Sequence, residues 1–176
     1  YRGELAQSRQ MNEEALTVAR EVGRKVVVGD ALFGLGKIAA GEGNLAEARR
    51  VFEESLAIRK EITRNTAAAE TQLELAALDL EAGRADLAEA TIREATAYFH
   101  NQREAYSEAY GLALLAQSLM AQGKMVAAGE AANRAGVLAA NTQYRKYRLA
   151  VAILAARVQA ALGRAGPAFE RALRRQ

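Results

Sequence analysis

Apolar residues return at three- and four-residue intervals along most of the chain. Leu5, Met11, Ala15, Leu16 and Ala19 fall near one face of a helix running from about Glu4 to Glu21. The same spacing predicts helices from about Val27 to Ala40, after Asn44 to Ile62, and over Ala67 to Glu81, Ala85 to Phe99, Glu104 to Ala121, Met125 to Ala140, Gln143 to Leu162 and Ala165 to Arg174. Punctuation separates them: Gly23, then Gly41-Glu42-Gly43, then Arg64-Asn65-Thr66. A glycine suits the left-handed residue that closes many helices, because it has no Cβ to clash. Asn44 is placed to cap the helix that follows, with Glu47 as its capping-box partner. Pro167 falls in the first turn of the last helix, where its missing N–H costs nothing. Val26-Val27-Val28 is the only strand-like run and is too short to compete.

The helices repeat as pairs. Gly3, Gly43, Gly83, Gly123 and Gly163 recur every 40 residues. Five residues after each sits a small residue, namely Ser8, Ala48, Ala88, Ala128 and Ala168. Seven before the last four sit Gly36, Ala76, Ala116 and Ala156. A fixed period of this size marks one supersecondary unit copied in tandem. Each unit is a helix A, a glycine turn, a helix B and a polar turn. The chain opens on a B helix, giving units 1–23 (half), 24–63, 64–103, 104–143 and 144–176 within a single all-α repeat domain. The first helix then leaves uncovered the face that an A helix would meet, which predicts either self-association or fraying there.

Composition adds that much of the 51% hydrophobic content is alanine, so each buried residue removes little area from water. There is no cysteine, which excludes disulfides and thiolate metal sites. The longest apolar run, Leu149 to Ala156, is far short of the ~20 residues of a membrane span. No basic-then-apolar leader opens the chain and residue 1 is Tyr, so the expectation is part of a longer cytoplasmic protein. The net charge of +3 hides an asymmetry: residues 1–120 carry 14 basic and 19 acidic side chains, residues 121–176 carry 10 and 2. Such a basic end either attracts an acidic partner or is a solvated face that keeps the terminal repeat soluble, and the spread of its arginines favours the second reading.

Catalytic signals fail one by one, and the chain is read as no enzyme and as needing no cofactor or metal. His100 is the only histidine, and its place at a helix end suits the last carbonyls and the helix dipole. The loose G-x-G-x-x-A matches at Gly34 and Gly41 lie in or after a helix rather than after a strand, so they are packing and punctuation. Glu13-Glu14 and Glu53-Glu54 share repeat columns and read as an exposed face paired with Arg9, Arg49 or Arg50.

The pattern resembles the tetratricopeptide repeat family, in a longer-unit form of about 40 residues. Leu32, Leu35, Gly36, Ala39, Ala48, Phe52 and Ser55 carry the likeness best, and Leu75, Ala76, Ala88, Ile92 and Ala95 repeat it. So do Leu112, Leu115, Ala116, Ala128 and Ala135, while the fourth copy is all alanine at Ala152, Ala155, Ala156, Ala168 and Ala172. The family's tryptophan, tyrosine and closing proline are absent. The run from Gly34 to Arg59 is similar to repeats attached to bacterial signalling kinases and ATPase-type transcription regulators. The resemblance implies a right-handed α-solenoid of antiparallel helix pairs whose A helices line a concave groove for a protein segment. On that geometry Asp30, Phe33, Lys37, Glu70, Leu73, Ala77, Tyr110, Ala113, Gln117, Ala150, Ile153 and Arg157 would face the groove. Phe33 and Leu73 stand where members that clamp a chaperone C-terminus carry polar residues, so that role is not expected. The partner would be a peptide with apolar anchors and an acidic stretch. A second patch is aromatic and basic: Tyr106, Tyr144, Arg145, Lys146, Tyr147 and Arg148, with Tyr106 and Tyr110 one helical turn apart. Packing between helices is the plainer reading of these tyrosines. Alternatives to the scaffold reading are a self-association module forming a homodimer, and a nucleic-acid or small-ligand sensor using the basic C-terminal half. The nucleic-acid reading ranks last, since aromatic and basic residues without a recognition pattern are weak support.

Overall fold

The computed structural model describes residues 2–140 and 145–161. They form eight helices: α1 (Arg2–Glu21), α2 (Lys25–Gly41), α3 (Leu45–Glu61), α4 (Asn65–Glu81), α5 (Ala85–Gln102), α6 (Ala105–Ala121), α7 (Met125–Ala140) and α8 (Arg145–Ala161). No strand occurs among the described residues. In the two-helix unit, α2, α4, α6 and α8 are the A helices and α1, α3, α5 and α7 the B helices. The expected last helix, with Pro167, lies outside the described residues. Asn65 and Thr66, expected as turn, form the first turn of α4, and α5 continues past Phe99 to Gln102.

Even spacing of the helices comes from the turns. Residues 23, 43, 63, 83, 103 and 123 all adopt positive φ, from 55° at Thr63 to 79° at Gly43. The next N–H reaches back across the helix end each time, as Asn44 N–H to Ala39 O at 2.9 Å and Arg64 N–H to Arg59 O at 2.9 Å. This is the closing pattern that satisfies the orphan carbonyls of a helix end. Thr63 and Arg103 do it without glycine, which hides these two turns from a glycine count. Gly3 departs from the pattern, because it lies within α1 rather than in a turn. The Asn44 cap forms, accepting from Glu47 N–H at 3.3 Å. The reciprocal half expected of Glu47 is replaced: its carboxylate accepts two bonds from Arg50, at 2.9 and 2.7 Å, and these hold it below its ordinary pKa.

The chain divides into two compact units, Tyr1–Leu78 and Asp79–Gln176, with the boundary inside α4. In the first, Ala19, Val28, Leu32 and Val51 form one core cluster, joined by Leu16 and Ile58. Ala39, Ala48, Phe52 and Leu78 form a second, joined by Phe33, Ala40, Leu45 and Leu75. In the second unit Ile92, Phe99, Leu119, Val151 and Val158 are fully buried among alanines such as Ala116, Ala128 and Ala135. A close helix crossing occurs at Gly36. A Cβ built there would lie 2.5 Å from the ring of Phe52, which is itself wholly buried. In the second unit the same two columns hold Ala116 and Ala132, so volume is traded between them.

Gly36→Ala is therefore expected to destabilise the protein by about 1–3 kcal/mol, as overpacking does. Urea unfolding checks this, and Phe52→Ile added to Gly36→Ala should recover part of the loss. An unchanged midpoint for Gly36→Ala would refute the close crossing.

Candidate partner-binding surface

Asp30, Phe33 and Lys37 follow one another along α2 at three- and four-residue spacing, which places them on one face. Asp30 and Lys37 are exposed and Phe33 is half-buried. Each is held by residues from α3 or α4. The Asp30 carboxylate accepts from Arg59 Nη2 at 2.8 Å and from Arg64 Nη1 at 2.8 and 3.0 Å. Arg59 also donates through Nη1 to Ala67 O and Thr71 Oγ1, both at 2.8 Å. Its guanidinium lies 4.4 Å from the centre of the Phe33 ring, within cation–π range. Phe33 meets Phe52 at 5.7 Å between centroids, and Lys37 Nζ sits 5.9 Å from the Phe33 ring while bonding Glu74 Oε1 at 2.9 Å. The result is an aromatic side chain locked by neighbours and ringed by paired charges.

Arg59 is the residue the sequence reading missed. It is 3% exposed, in a column where Ala19, Phe99 and Ala139 are also buried. One arginine among apolar equivalents was the available signal. Arg64 and Thr71, its companions, were likewise not singled out.

Other expected residues fall elsewhere. Leu73 is 1% exposed and Ala113 0%, so neither side chain is an exposed foothold, whereas Ile153 in the same column is 50% exposed. Phe33 is half-buried in the same column, with the Arg59 guanidinium against its ring. Glu70, Ala77, Tyr106, Tyr110 and Gln117 are half-buried, and Ile153 and Arg157 are exposed. The Gln117 amide nitrogen is buried with no acceptor among the described residues. Tyr144 and the side chains of Arg145, Lys146, Tyr147, Arg148 and Ala150 lie outside the described residues.

Charges elsewhere are absorbed in pairs. Glu89 accepts from Lys124, Arg93 and Gln122, and these bonds hold its carboxyl down at about 2. Glu108 is buried at a column where Val28 and Ala68 are apolar. It meets His100 Nδ1 at 3.1 Å and Arg134 at 3.6 Å. His100 lies in the last turn of α5, the helix-end place expected of it, and also faces a carboxylate on the next helix. Glu13, Glu53 and Glu54 lie 3.8–3.9 Å from Arg9, Arg49 and Arg50 along their own helices, as the spacing indicated. Among the described residues no group of three His, Cys, Asp or Glu could hold a metal ion, and no helix is long and apolar enough to cross a membrane.

Paired helices joined by left-handed turns define a helical-repeat protein. Residues 1–61 match the family model described as Tetratricopeptide repeat. No curated protein matches in sequence. Among solved structures, BtubC (BKLC) from P. vanneervenii is similar at 19% identity and TM-score 0.75, over 98% of this chain and 73% of that one. A Podosopora anserina putative kinesin light chain with nearly identical TPR-like repeats is similar at 19% identity and TM-score 0.66, over 98% and 85%. A variant of that protein gives 20% identity and TM-score 0.67, over 99% and 85%. At this identity the likeness is one of fold. The tetratricopeptide repeat model covers residues 1–61, and the likeness of fold to the solved structures extends over nearly the whole chain. Repeats of this family mediate protein–protein interaction and are typically non-enzymatic.

Two predictions follow the electrostatics. Asp30→Ala should cost about 2–4 kcal/mol, because it leaves the buried Arg59 charge without its carboxylate. Arg64→Ala should cost under about 1 kcal/mol, since Arg64 is at the surface and Asp30 keeps Arg59. Equal losses in urea unfolding would show that Asp30 is not the counter-ion of Arg59. For Glu89 the folded pKa lies below the unfolded one, so its contribution is present above about pH 4.5 and fades as pH falls towards 2. The stability gap between wild type and Glu89→Gln should therefore shrink between pH 5 and pH 2. A constant gap would contradict the bonding described.

Proposed function

We propose that this chain is a protein-interaction scaffold that takes an extended or helical partner segment on its A-helix face. Its setting is read as a bacterial signalling or transcription regulator, from the likeness of the run Gly34 to Arg59 to repeats in such proteins. The observation that carries the binding reading is Phe33, an accessible aromatic ring fixed between Arg59, Lys37 and Phe52. A rigid aromatic on a face with satisfied charges offers contact area at small entropic cost, which is what binding anchors require. In the second unit Tyr110 and the exposed Ile153 offer comparable footholds.

The partner segment carries apolar anchors and an acidic stretch. The charges beside Phe33 are already paired, so this end selects apolar groups. The excess of basic residues after position 120 supports an acidic stretch towards the C-terminal repeats. Electrostatics should act on association rate and register, weakening as salt shortens the Debye length to ~8 Å.

Affinity capture with the wild-type chain, followed by binding kinetics of the captured partner, tests this. Phe33→Ala and Tyr110→Ala should each speed dissociation, and Arg145→Glu with Arg148→Glu should slow association. A genuine partner insensitive to all of them would place the binding surface on the B helices.

A further inference from the structure

Two neighbouring B helices, α1 and α3, both pack on α2, and a cavity of about 230 Å³ lies between them. Its inner wall is apolar: Leu16 of α1, Leu32 and Leu35 of α2, and Val51 of α3. All three helices belong to the first compact unit, so the cavity depends on no neighbour outside them. Its charged residues all come from the B helices, and it shares no residue with the A-helix face described above.

The mouth carries three arginines and three glutamates: Arg9, Glu13 and Arg20 from α1, and Glu47, Arg50 and Glu54 from α3. Some of these contacts are closed. Arg20 Nη2 donates to Glu54 Oε1 at 2.6 Å, across the cavity from one B helix to the other. Arg50 donates twice to Glu47, at 2.9 and 2.7 Å. Two contacts are open. Arg9 Nη1 stands 3.9 Å from Glu13 Oε1, and Arg50 Nη1 stands 3.8 Å from Glu54 Oε2. Both exceed hydrogen-bond range, so each leaves a guanidinium N–H and a carboxylate oxygen able to bond a third group.

Size and charge restrict what that group belongs to. At ~30 Å³ for each water-sized group, the cavity admits about seven or eight such groups, which suits an amino acid and is too small for a nucleotide. A simple anion would meet three carboxylates and a simple cation three guanidinium groups. A neutral apolar molecule would cover the charged mouth and return no hydrogen bond for it. A zwitterion offers both signs at once, and an aliphatic side chain would lie on the leucines and the valine. We propose that the cavity binds a free α-amino acid with an aliphatic side chain of about leucine size. Its ammonium goes to the glutamates of the two open pairs, its carboxylate to the arginines, and its side chain to the inner wall.

The test titrates the 176-residue chain with L-leucine by calorimetry. Saturable binding is expected, with the methyl resonances of Leu16, Leu32, Leu35 and Val51 shifting in parallel. Glycine lacks the side chain, L-leucine amide the carboxylate and N-acetyl-L-leucine the ammonium, so each should bind at least about tenfold more weakly. Arg50→Gln and Glu13→Gln should each weaken L-leucine binding at least about tenfold. Both side chains are more than half exposed, so these variants should melt close to wild type. Val137→Glu, at an exposed position on α7, should leave binding unchanged. Three results would overturn the proposal. One is no saturable binding of L-leucine, L-isoleucine or L-valine. Another is binding that shifts methyl groups elsewhere and survives both cavity variants. The third is equal binding of N-acetyl-L-leucine amide, which would assign the cavity to an apolar side chain of a protein segment.

Discussion

The whole arrangement depends on how closely an A helix can approach its B helix. Much of the core is alanine, and an alanine methyl contributes only about 0.8 kcal/mol on burial, against up to about 3 for a leucine. Such a core holds only if backbones come near enough for those methyls to touch something. The small-residue columns supply that approach. Ala48, Ala88 and Ala128 are wholly buried, and Gly36 lies directly under the Phe52 ring. Volume lost on one side of a crossing is returned on the other.

Close crossings need helices of nearly fixed length and phase, and the turns provide both. Each helix from α1 to α6 is closed by one residue of positive φ and a bond back across the last turn. Because the same stop recurs, small residues arrive at each crossing in register. The turn is a backbone device, and Thr63 and Arg103 show that the surrounding packing can impose it without glycine.

Polar groups in core columns are where the repeats stop being copies. Arg59 replaces an apolar residue, ties α2, α3 and α4 through four partners, and supports Phe33 at the surface. Glu108 does the same for α5, α6 and α7 through His100 and Arg134. Burying a charge is costly unless it is matched, and in both cases the match comes from neighbouring helices. Such ties distinguish one repeat from the next.

The order and pairing of the eight described helices were legible in the sequence, because apolar periodicity and recurring small residues are local or strictly periodic signals. The columns at Gly36, Ala48 and Phe52 were readable for the same reason. The binding surface was less legible. Phe33, Leu73 and Ile153 occupy one column, yet Leu73 is buried and the other two are accessible, a difference set by neighbours on other helices. The two glycine-free turns at Thr63 and Arg103 were hidden likewise, since their conformation is imposed by the helices they join. Periodicity determined which residues face inward. Which of them reach the surface, and which charges find partners, was decided by side chains that meet only after the helices have packed.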